Sequence, residues 1–162
     1  MSILTYFIFG LLAFATTLLD TSFFSFLEIY YATIITSLAF LISFSILNLK
    51  KRTIIYAAFL TLFFVVFSSL PVWFIICVFF GIPLIIFAVR FRLALDRSIL
   101  LLVLTFIFSN FLFQMFLAVS SVDFSRTAFI SVISFTLINT IAGLVIYYIV
   151  QKVIKISSQI LR

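Results

Sequence analysis

The charged side chains of this chain are confined to five short clusters, and the stretches between the clusters are apolar. Six uncharged stretches of 17 to 24 residues result, namely 3–19, 29–49, 53–70, 71–89, 98–119 and 127–150. A helix needs roughly 17–25 apolar residues to cross a hydrocarbon core about 30 Å thick. The pattern therefore predicts an all-α integral membrane protein, a bundle of six transmembrane helices that forms one domain over residues 1–162.

No charge separates the third stretch from the fourth, so their division depends on the sequence Ser68-Ser69-Leu70-Pro71. A single helix over 53–89 would be about 55 Å long, which is too long for one crossing. Proline suits the first turn of a helix and disfavours helix at the residue before it. We therefore predict a helical hairpin at Pro71, with a re-entrant segment as the alternative.

The composition also indicates a lipid environment. Hydrophobic residues make up 67% of the chain and charged residues 9%, against about 45–50% and 25% in an average soluble domain. Ten basic and four acidic side chains are too few to keep the surface of a folded domain in water. This excludes a water-soluble protein and makes the lipid bilayer the first expected partner.

The positions of Lys and Arg predict the orientation, because these residues are retained on the cytoplasmic side. With both termini in the cytoplasm, nine of the ten basic residues lie inside and only Arg126 lies outside, and the segment from Asp20 to Glu28 forms an outer loop. Aromatic side chains that favour the membrane surface lie near predicted helix ends: Tyr6, Tyr30, Tyr31, Tyr56, Trp73, Tyr147 and Tyr148. The basic residues are topology signals and contacts for anionic lipid, so no nucleic-acid partner is expected.

The inventory of reactive side chains argues against an enzyme. The chain has no His, and its acidic residues, Asp20, Glu28, Asp96 and Asp123, are all predicted to lie in loops. No general base, metal cluster or carboxylate pair is therefore expected at membrane depth, and the single Cys77 is interpreted as a small apolar core residue. We expect no catalytic activity, no metal and no cofactor. The lack of charge within the spans also argues against an ion-coupled transporter.

Three amide side chains, those of Asn110, Gln114 and Asn139, interrupt the apolar spans away from their ends. Asn110 and Asn139 are each the thirteenth residue of their span, so both are expected near the membrane mid-plane. Such a depth would allow an interhelical hydrogen bond between the two amides. Bonds of this kind contribute about 0.6 kcal/mol, so Asn139→Leu is expected to cost about 1 kcal/mol or less.

Two further features concern the shape of single helices. The last span has a continuous face of mostly small and polar residues at helical spacing, made of Thr136, Asn139, Thr140, Gly143 and Tyr147. This face is interpreted as a helix-packing seam, with a ligand or partner-subunit surface as the alternative. In the fourth span, Gly81 and Pro83 lie near the centre, where proline removes a backbone hydrogen bond and predicts a kink.

Several sequence features, taken together, resemble a known membrane protein family. They are six short spans with cytoplasmic termini, the turn Leu18-Leu19-Asp20-Thr21-Ser22-Phe23, the turn Phe67-Ser68-Ser69-Leu70-Pro71, and Asn139 in the last span. This pattern covers nearly the whole chain and resembles the MreD family of rod shape-determining membrane proteins. Family members typically carry an Asp and a Gly at the positions that hold Val65 and Trp73 here.

The resemblance implies a non-catalytic subunit of the bacterial cell-elongation machinery in the cytoplasmic (inner) membrane. Such a subunit associates with an MreC-like single-span protein and, through it, with the actin-like filament and the peptidoglycan synthesis enzymes.

Two other interpretations stay open for a small bundle of six helices. One is the substrate-binding S-component of an energy-coupling-factor vitamin transporter, an architecture similar to that of MreD. It requires an outward polar pocket, which Gln114, Ser120 and Ser121 could line. It also requires a seam of small residues on the first span for its partner, and Ala13 and Thr17 match that requirement poorly. The other is a structural subunit of a different membrane complex.

Overall fold

The structure is a computed structural model that describes residues 3–23, 32–92, 98–121 and 126–160. Within these ranges the chain forms six α-helices: α1 (Ile3–Leu18), α2 (Thr36–Ile46), α3 (Lys50–Phe67), α4 (Val72–Arg92), α5 (Ile99–Ser121) and α6 (Arg126–Ile160). A π-helical turn, Leu19–Phe23, extends α1. The acidic residues Glu28, Asp96 and Asp123 were predicted to lie in loops, and all three lie outside the described residues.

Four helical segments are long and apolar enough to cross a membrane: Ile3–Phe23, Val72–Arg90, Ile99–Leu117 and Phe129–Ile156. Helix α2 has only 11 residues. Helix α3 has 18, of which the first three are Lys50, Lys51 and Arg52. The prediction of an all-helical membrane protein is confirmed, with four rather than six helices that meet the requirements for a crossing by length and composition.

The largest difference from the predicted spans concerns α2, which occupies only 36–46 of the predicted 29–49. Residues 33–35 are not helical, and Ile35 has an extended backbone with φ −115° and ψ 95°. Four consecutive β-branched residues, 33–36, disfavour helix there. Helix α2 is therefore about 16 Å long, half the thickness of a hydrocarbon core.

A Schellman motif ends α2. The N–H of Leu49 donates to the carbonyl of Phe44 at 3.0 Å, and the N–H of Asn48 donates to Ser45 O at 3.1 Å. Asn48 has a φ of 59°, the left-handed conformation that asparagine tolerates better than most residues. This tight turn leads directly into the basic start of α3.

Helix α2 is the centre of the bundle. Nine of its 11 residues are buried, and it packs against α1, α3, α4, α5 and α6. The hydroxyls of Ser43 and Ser45 donate to the carbonyls of Ala39 and Leu41 within α2. These internal bonds let small polar residues lie in an apolar core.

The remaining helices surround α2 in pairs. Helix α1 packs on α3, α3 on α4, and α5 on α6. Helix α3 ends at Phe67 and α4 begins at Val72, so the break predicted at Pro71 is present. Helix α4 continues through Pro83, which is buried, and the kink itself stays a prediction. The interpretation of Cys77 as a core residue is wrong, because its side chain is exposed on the outside of α4.

Helix α6 is longer than its predicted span, which ended at Val150. Its 35 residues extend about 52 Å, well beyond the thickness of a hydrocarbon core. Lys152 and Lys155 are exposed in this extension. Charged residues mark where the membrane ends, but Lys is a good helix former and does not end a helix.

The predicted belt of aromatic residues at the membrane surface is wrong for two residues. Tyr56 is 0% exposed and Tyr147 is 5% exposed. The Tyr56 ring packs edge-to-face on Phe44 at a centroid distance of 5.3 Å, and its hydroxyl lies 2.9 Å from that of Thr16. By contrast, Tyr6, Trp73 and Tyr148 are exposed, and Tyr30 and Tyr31 lie outside the described residues.

Candidate functional site

The start of α2 lies among other helices, which creates a hydrogen-bonding requirement. The first N–H groups of a helix have no partner within it, and an unpaired polar group in an apolar environment is costly. The residue before α2, Ile35, has no side chain that can cap it. Side chains from α6 and from the extension of α1 provide the missing acceptors.

Asp20 caps the start of α2. Its Oδ1 accepts hydrogen bonds from the backbone N–H and the hydroxyl of Thr36, both at 2.7 Å. Its Oδ2 accepts from the backbone N–H of Ser37 at 2.9 Å and from the Ser37 hydroxyl. All four partners are donors, and both oxygens act as acceptors, as an ionised carboxylate can. A negative charge here also interacts favourably with the positive end of the α2 dipole.

The position of Asp20 corrects the prediction of an outer loop. Asp20 lies in the π-helical turn that extends α1, within the apolar segment Ile3–Phe23. The expectation that no carboxylate lies within a membrane-spanning segment is therefore wrong for this residue. The physical reason is that α2 begins inside the bundle and its N–H groups need an acceptor.

Asn139 of α6 binds the non-helical segment 32–35 that precedes α2. Its Oδ1 accepts the N–H of Ile35 at 2.7 Å, and its Nδ2 donates to Thr33 O at 2.8 Å. The same Nδ2 also donates to Phe135 O within α6, at 3.1 Å. Asn139 thus replaces a strand partner for backbone that would otherwise be unpaired among apolar side chains.

The predicted hydrogen bond between Asn110 and Asn139 is absent. The Asn110 side chain is 2% exposed, and its Nδ2 donates to Thr140 Oγ1 at 3.3 Å. Asn139 is unavailable to Asn110 because both ends of its amide serve the backbone before α2. The two amides therefore tie α6 to different neighbours, α5 and the start of α2.

One end of the α5–α6 interface holds the third amide. Gln114 Nε2 donates to Ser131 Oγ at 3.1 Å. Its Oε1 is buried and accepts no hydrogen bond from the described residues. The side chains of Ser120 and Ser121, predicted as possible pocket residues with Gln114, lie outside the described ones.

The other residues of the α6 face are in the interior. Thr136, Thr140 and Gly143 are buried, and Thr136 Oγ1 donates to Val132 O at 2.7 Å. A Cβ placed on Gly143 would lie 2.5 Å from Cε1 of Phe106, a ring that is itself 0% exposed. Glycine at 143 therefore permits the close approach of α5 to α6. At Gly81, by contrast, an added Cβ meets nothing within 4 Å.

These residues form a connected set of polar bonds at the start of α2, here called the α2 anchor: Asp20, Thr33, Ile35, Thr36, Ser37 and Asn139. The bonds of Asp20 and of the Asn139 amide are all made within the bundle. In the described part of the chain, no three His, Cys, Asp or Glu side chains lie together as metal ligands would. The chemistry that the anchor supports is hydrogen bonding that fixes the backbone.

Sequence reasoning identified Asn139 but missed Asp20 and its partners. The signal that could have revealed them is the run of β-branched residues, 33–36, inside a predicted span, followed by Ser37. Such a run predicts a late helix start, and a late start inside the membrane requires an acceptor. Asp20 and Glu28 are the two carboxylates that precede α2 in the sequence, and so they are the candidates for that acceptor.

Comparison of the chain with known protein families, with curated proteins and with solved structures finds no match.

Proposed function

We propose that the chain is a non-catalytic, multi-pass subunit of the bacterial cytoplasmic membrane, and that it serves the cell-elongation machinery in the manner of the MreD family. The observation that carries this proposal is the α2 anchor. Its strongest polar groups, the Asp20 carboxylate and the Asn139 amide, are used in bonds within the bundle. That use suits a structural subunit better than a reactive or ligand-binding centre.

The exterior of the bundle supports a role in packing against lipid and other membrane helices. On α1, the side chains of Ile3, Leu4, Phe7 and Leu11 are 60 to 89% exposed. An apolar surface of this kind is stable only against lipid or against another helix. A subunit that binds single-span partners needs such a surface.

Six crossings are compatible with the short α2. The non-helical segment 32–35 can extend up to about 13 Å at 3.3 Å per residue, and α2 adds about 16 Å. Together they match a hydrocarbon core about 30 Å thick. Non-helical backbone is tolerated at this depth when protein surrounds it and satisfies its hydrogen bonds, as Asn139 does here.

The orientation with cytoplasmic termini is supported by contacts at both ends of α1. Asp20 at its end bonds the start of α2, whereas Thr5 near its start lines a cavity with Asn48 and Lys50 beyond the end of α2. Helices α1 and α2 are therefore antiparallel. The start of α1 then lies on the same face as the basic cluster 50–52, the cytoplasmic face by the distribution of positive charge.

The assignment to cell elongation is supported by the sequence pattern that resembles MreD. By that resemblance, the partners are an MreC-like single-span protein and, through it, the peptidoglycan synthesis enzymes. The activity is that of a scaffold without enzyme chemistry.

One observation favours the S-component of a vitamin transporter as the second candidate. The Oε1 atom of Gln114 is buried and accepts no hydrogen bond from the described residues, so a ligand donor could pair with it. Against this, transporters use the start of a half-helix to bind anionic substrate groups. In this chain Asp20 already occupies that position.

Affinity purification of the tagged chain from its native membrane tests the proposal. Recovery of an MreC-like protein together with peptidoglycan synthesis enzymes is the expected result. Recovery of a pair of ATPases with a coupling subunit would overturn it. Retention of a radiolabelled vitamin by the purified chain would favour the second candidate, and Gln114→Leu should then abolish that retention.

A further inference from the structure

A cavity of about 480 Å³ opens at the end of the bundle where α1 begins and α2 turns into α3. Its lining consists of Thr5, Asn48, Leu49, Lys50, Lys51 and Arg52. The cavity is open to solvent and has room for a phosphate group.

The three basic side chains at this cavity are exposed and have no acidic partner among the described residues. Within the described part of the chain, Lys50, Lys51 and Arg52 form no ion pair. The one acidic residue in that part, Asp20, is bonded at the opposite end of α2, about 16 Å away. Three adjacent positive charges repel one another, and a bound anion would relieve that repulsion.

The cations also lie at an unfavourable place in the helix. Lys50, Lys51 and Arg52 form the first turn of α3, and no side chain caps that turn. The start of a helix carries a partial positive charge, so basic residues there are destabilising unless an anion is near. The charge of the side chains and that of the helix therefore favour the same kind of ligand.

An apolar groove between α1 and α3 indicates that the ligand also has an apolar part. This groove has a volume of about 440 Å³ and runs between α1 and α3, from Ile3 past Gly10 to Phe59 and Phe63. Phe59 and Phe63 follow Arg52 by 7 and 11 residues and so share its face of α3. A ligand with an anionic head and a hydrocarbon tail fits the pair of features.

We propose that the basic cavity at Asn48–Arg52 binds the phosphate group of an anionic phospholipid, whose acyl chain lies in the groove between α1 and α3. The proposal rests on the membrane-spanning arrangement given above but not on the cell-elongation partners. The cavity would hold one lipid of the inner leaflet, where anionic lipids are concentrated. Such a lipid would fix the start of α1 against α3.

Native mass spectrometry of the purified full-length chain in detergent, titrated with phosphatidylglycerol, tests this site. The variant Lys50→Gln/Lys51→Gln should bind about 25-fold more weakly, since each basic side chain contributes about fivefold near an anionic lipid. The matched control Lys152→Gln/Lys155→Gln removes two exposed lysines of α6 that do not line the cavity. The control pair should leave binding unchanged.

A second variant separates a defined site from general charge attraction. Asn48→Gly tolerates the φ of 59° and removes the side chain of a residue that lines the cavity. It should weaken phosphatidylglycerol binding while the melting midpoint, followed by circular dichroism, stays that of the parent. If both double-lysine variants melt at the temperature of the parent, their binding data come from folded protein.

Three results would overturn the proposal. One is equal retention of zwitterionic phosphatidylcholine, and another is equal loss of binding in the two lysine pairs. The third is complete displacement of phosphatidylglycerol by millimolar inorganic phosphate, which would identify the cavity as a site for free phosphate. Recovery of cell-elongation partners in the purification experiment is independent of all three results.

Discussion

The substitution Asp20→Asn tests the α2 anchor at its strongest point. It keeps the size of the side chain but replaces one acceptor oxygen with an NH₂ group. Asn can still accept from Thr36 through its remaining oxygen. The N–H of Ser37, which donates to Oδ2 at 2.9 Å, then faces another donor and loses its partner.

The expected cost follows from these contacts. A buried donor left without an acceptor costs about 1–3 kcal/mol. Loss of the negative charge at the start of α2 adds about 0.3–1 kcal/mol through the helix dipole. Asp20→Asn should therefore lower the free energy of unfolding by about 1.3–4 kcal/mol.

Equilibrium unfolding in mixed detergent, followed by circular dichroism, measures this cost. The control is Thr21→Val in the same π-helical turn, where the hydroxyl donates only to Thr17 O within its own helix, at 2.8 Å. The control should change the unfolding free energy by less than about 0.5 kcal/mol. Hydrogen exchange should also accelerate at the Thr36 and Ser37 amides in Asp20→Asn alone. Equal stability of the two variants, with unchanged exchange at these amides, would refute the reasoning.

Three further comparisons use pairs of substitutions or single hydroxyls. Asn139→Leu should lower the free energy of unfolding by about 2–4 kcal/mol because it leaves backbone groups unpaired. Asn110→Leu should lower it by about 1 kcal/mol or less. Equal costs of the two substitutions in the same unfolding titration would contradict the assigned bonds. Gly143→Ala should destabilise the protein by about 1–3 kcal/mol through overpacking, and Gly81→Ala should stabilise it by up to about 1 kcal/mol. A higher melting temperature for Gly143→Ala than for Gly81→Ala would be inconsistent with the helix contacts. Tyr56→Phe should lower the unfolding free energy by about 0.5–1.5 kcal/mol, and an unchanged value would mean that its hydroxyl makes no bond.

The helical class and most helix positions could be predicted because charge is excluded from the hydrocarbon core. Lys50 and Arg90, for example, lie at or next to the ends of apolar helical segments. The same rule failed for the end of α6, since the helix continues past Lys152. The positions of charged residues indicate where the membrane ends. Where a helix ends depends instead on local helix propensity and packing.

The α2 anchor could not be predicted because hydropathy does not distinguish helix from other backbone in an apolar stretch. Residues 29–49 are uniformly apolar enough for a span, yet the helix begins only at Thr36. The partners of its first N–H groups come from Asp20 and from Asn139, which is 104 residues after Ile35. Contacts between residues so far apart depend on the packing of the whole bundle.

The stability cost expected for Asn139→Leu is larger with the structure than with the sequence alone, because the bonds of Asn139 depend on the packing of the whole bundle. A side chain bonded to another side chain can lose its partner at low cost, since the partner can move. Asn139 instead bonds the backbone of Thr33 and Ile35, and among the described residues it is the partner of both the Thr33 carbonyl and the Ile35 N–H. The predicted magnitude therefore rises from about 1 to about 2–4 kcal/mol.

The deep polar residues bond the helices of the bundle to one another, and we propose that the chain acts as a scaffold in cell elongation. The most direct test is the amount of partner protein recovered per folded molecule from native membranes, compared between the parent and Asn139→Leu. Cell-elongation partners should be recovered with both proteins, in equal amount per folded molecule. Loss of the partners from molecules that remain folded, or recovery of a transporter ATPase pair instead, would contradict this proposal.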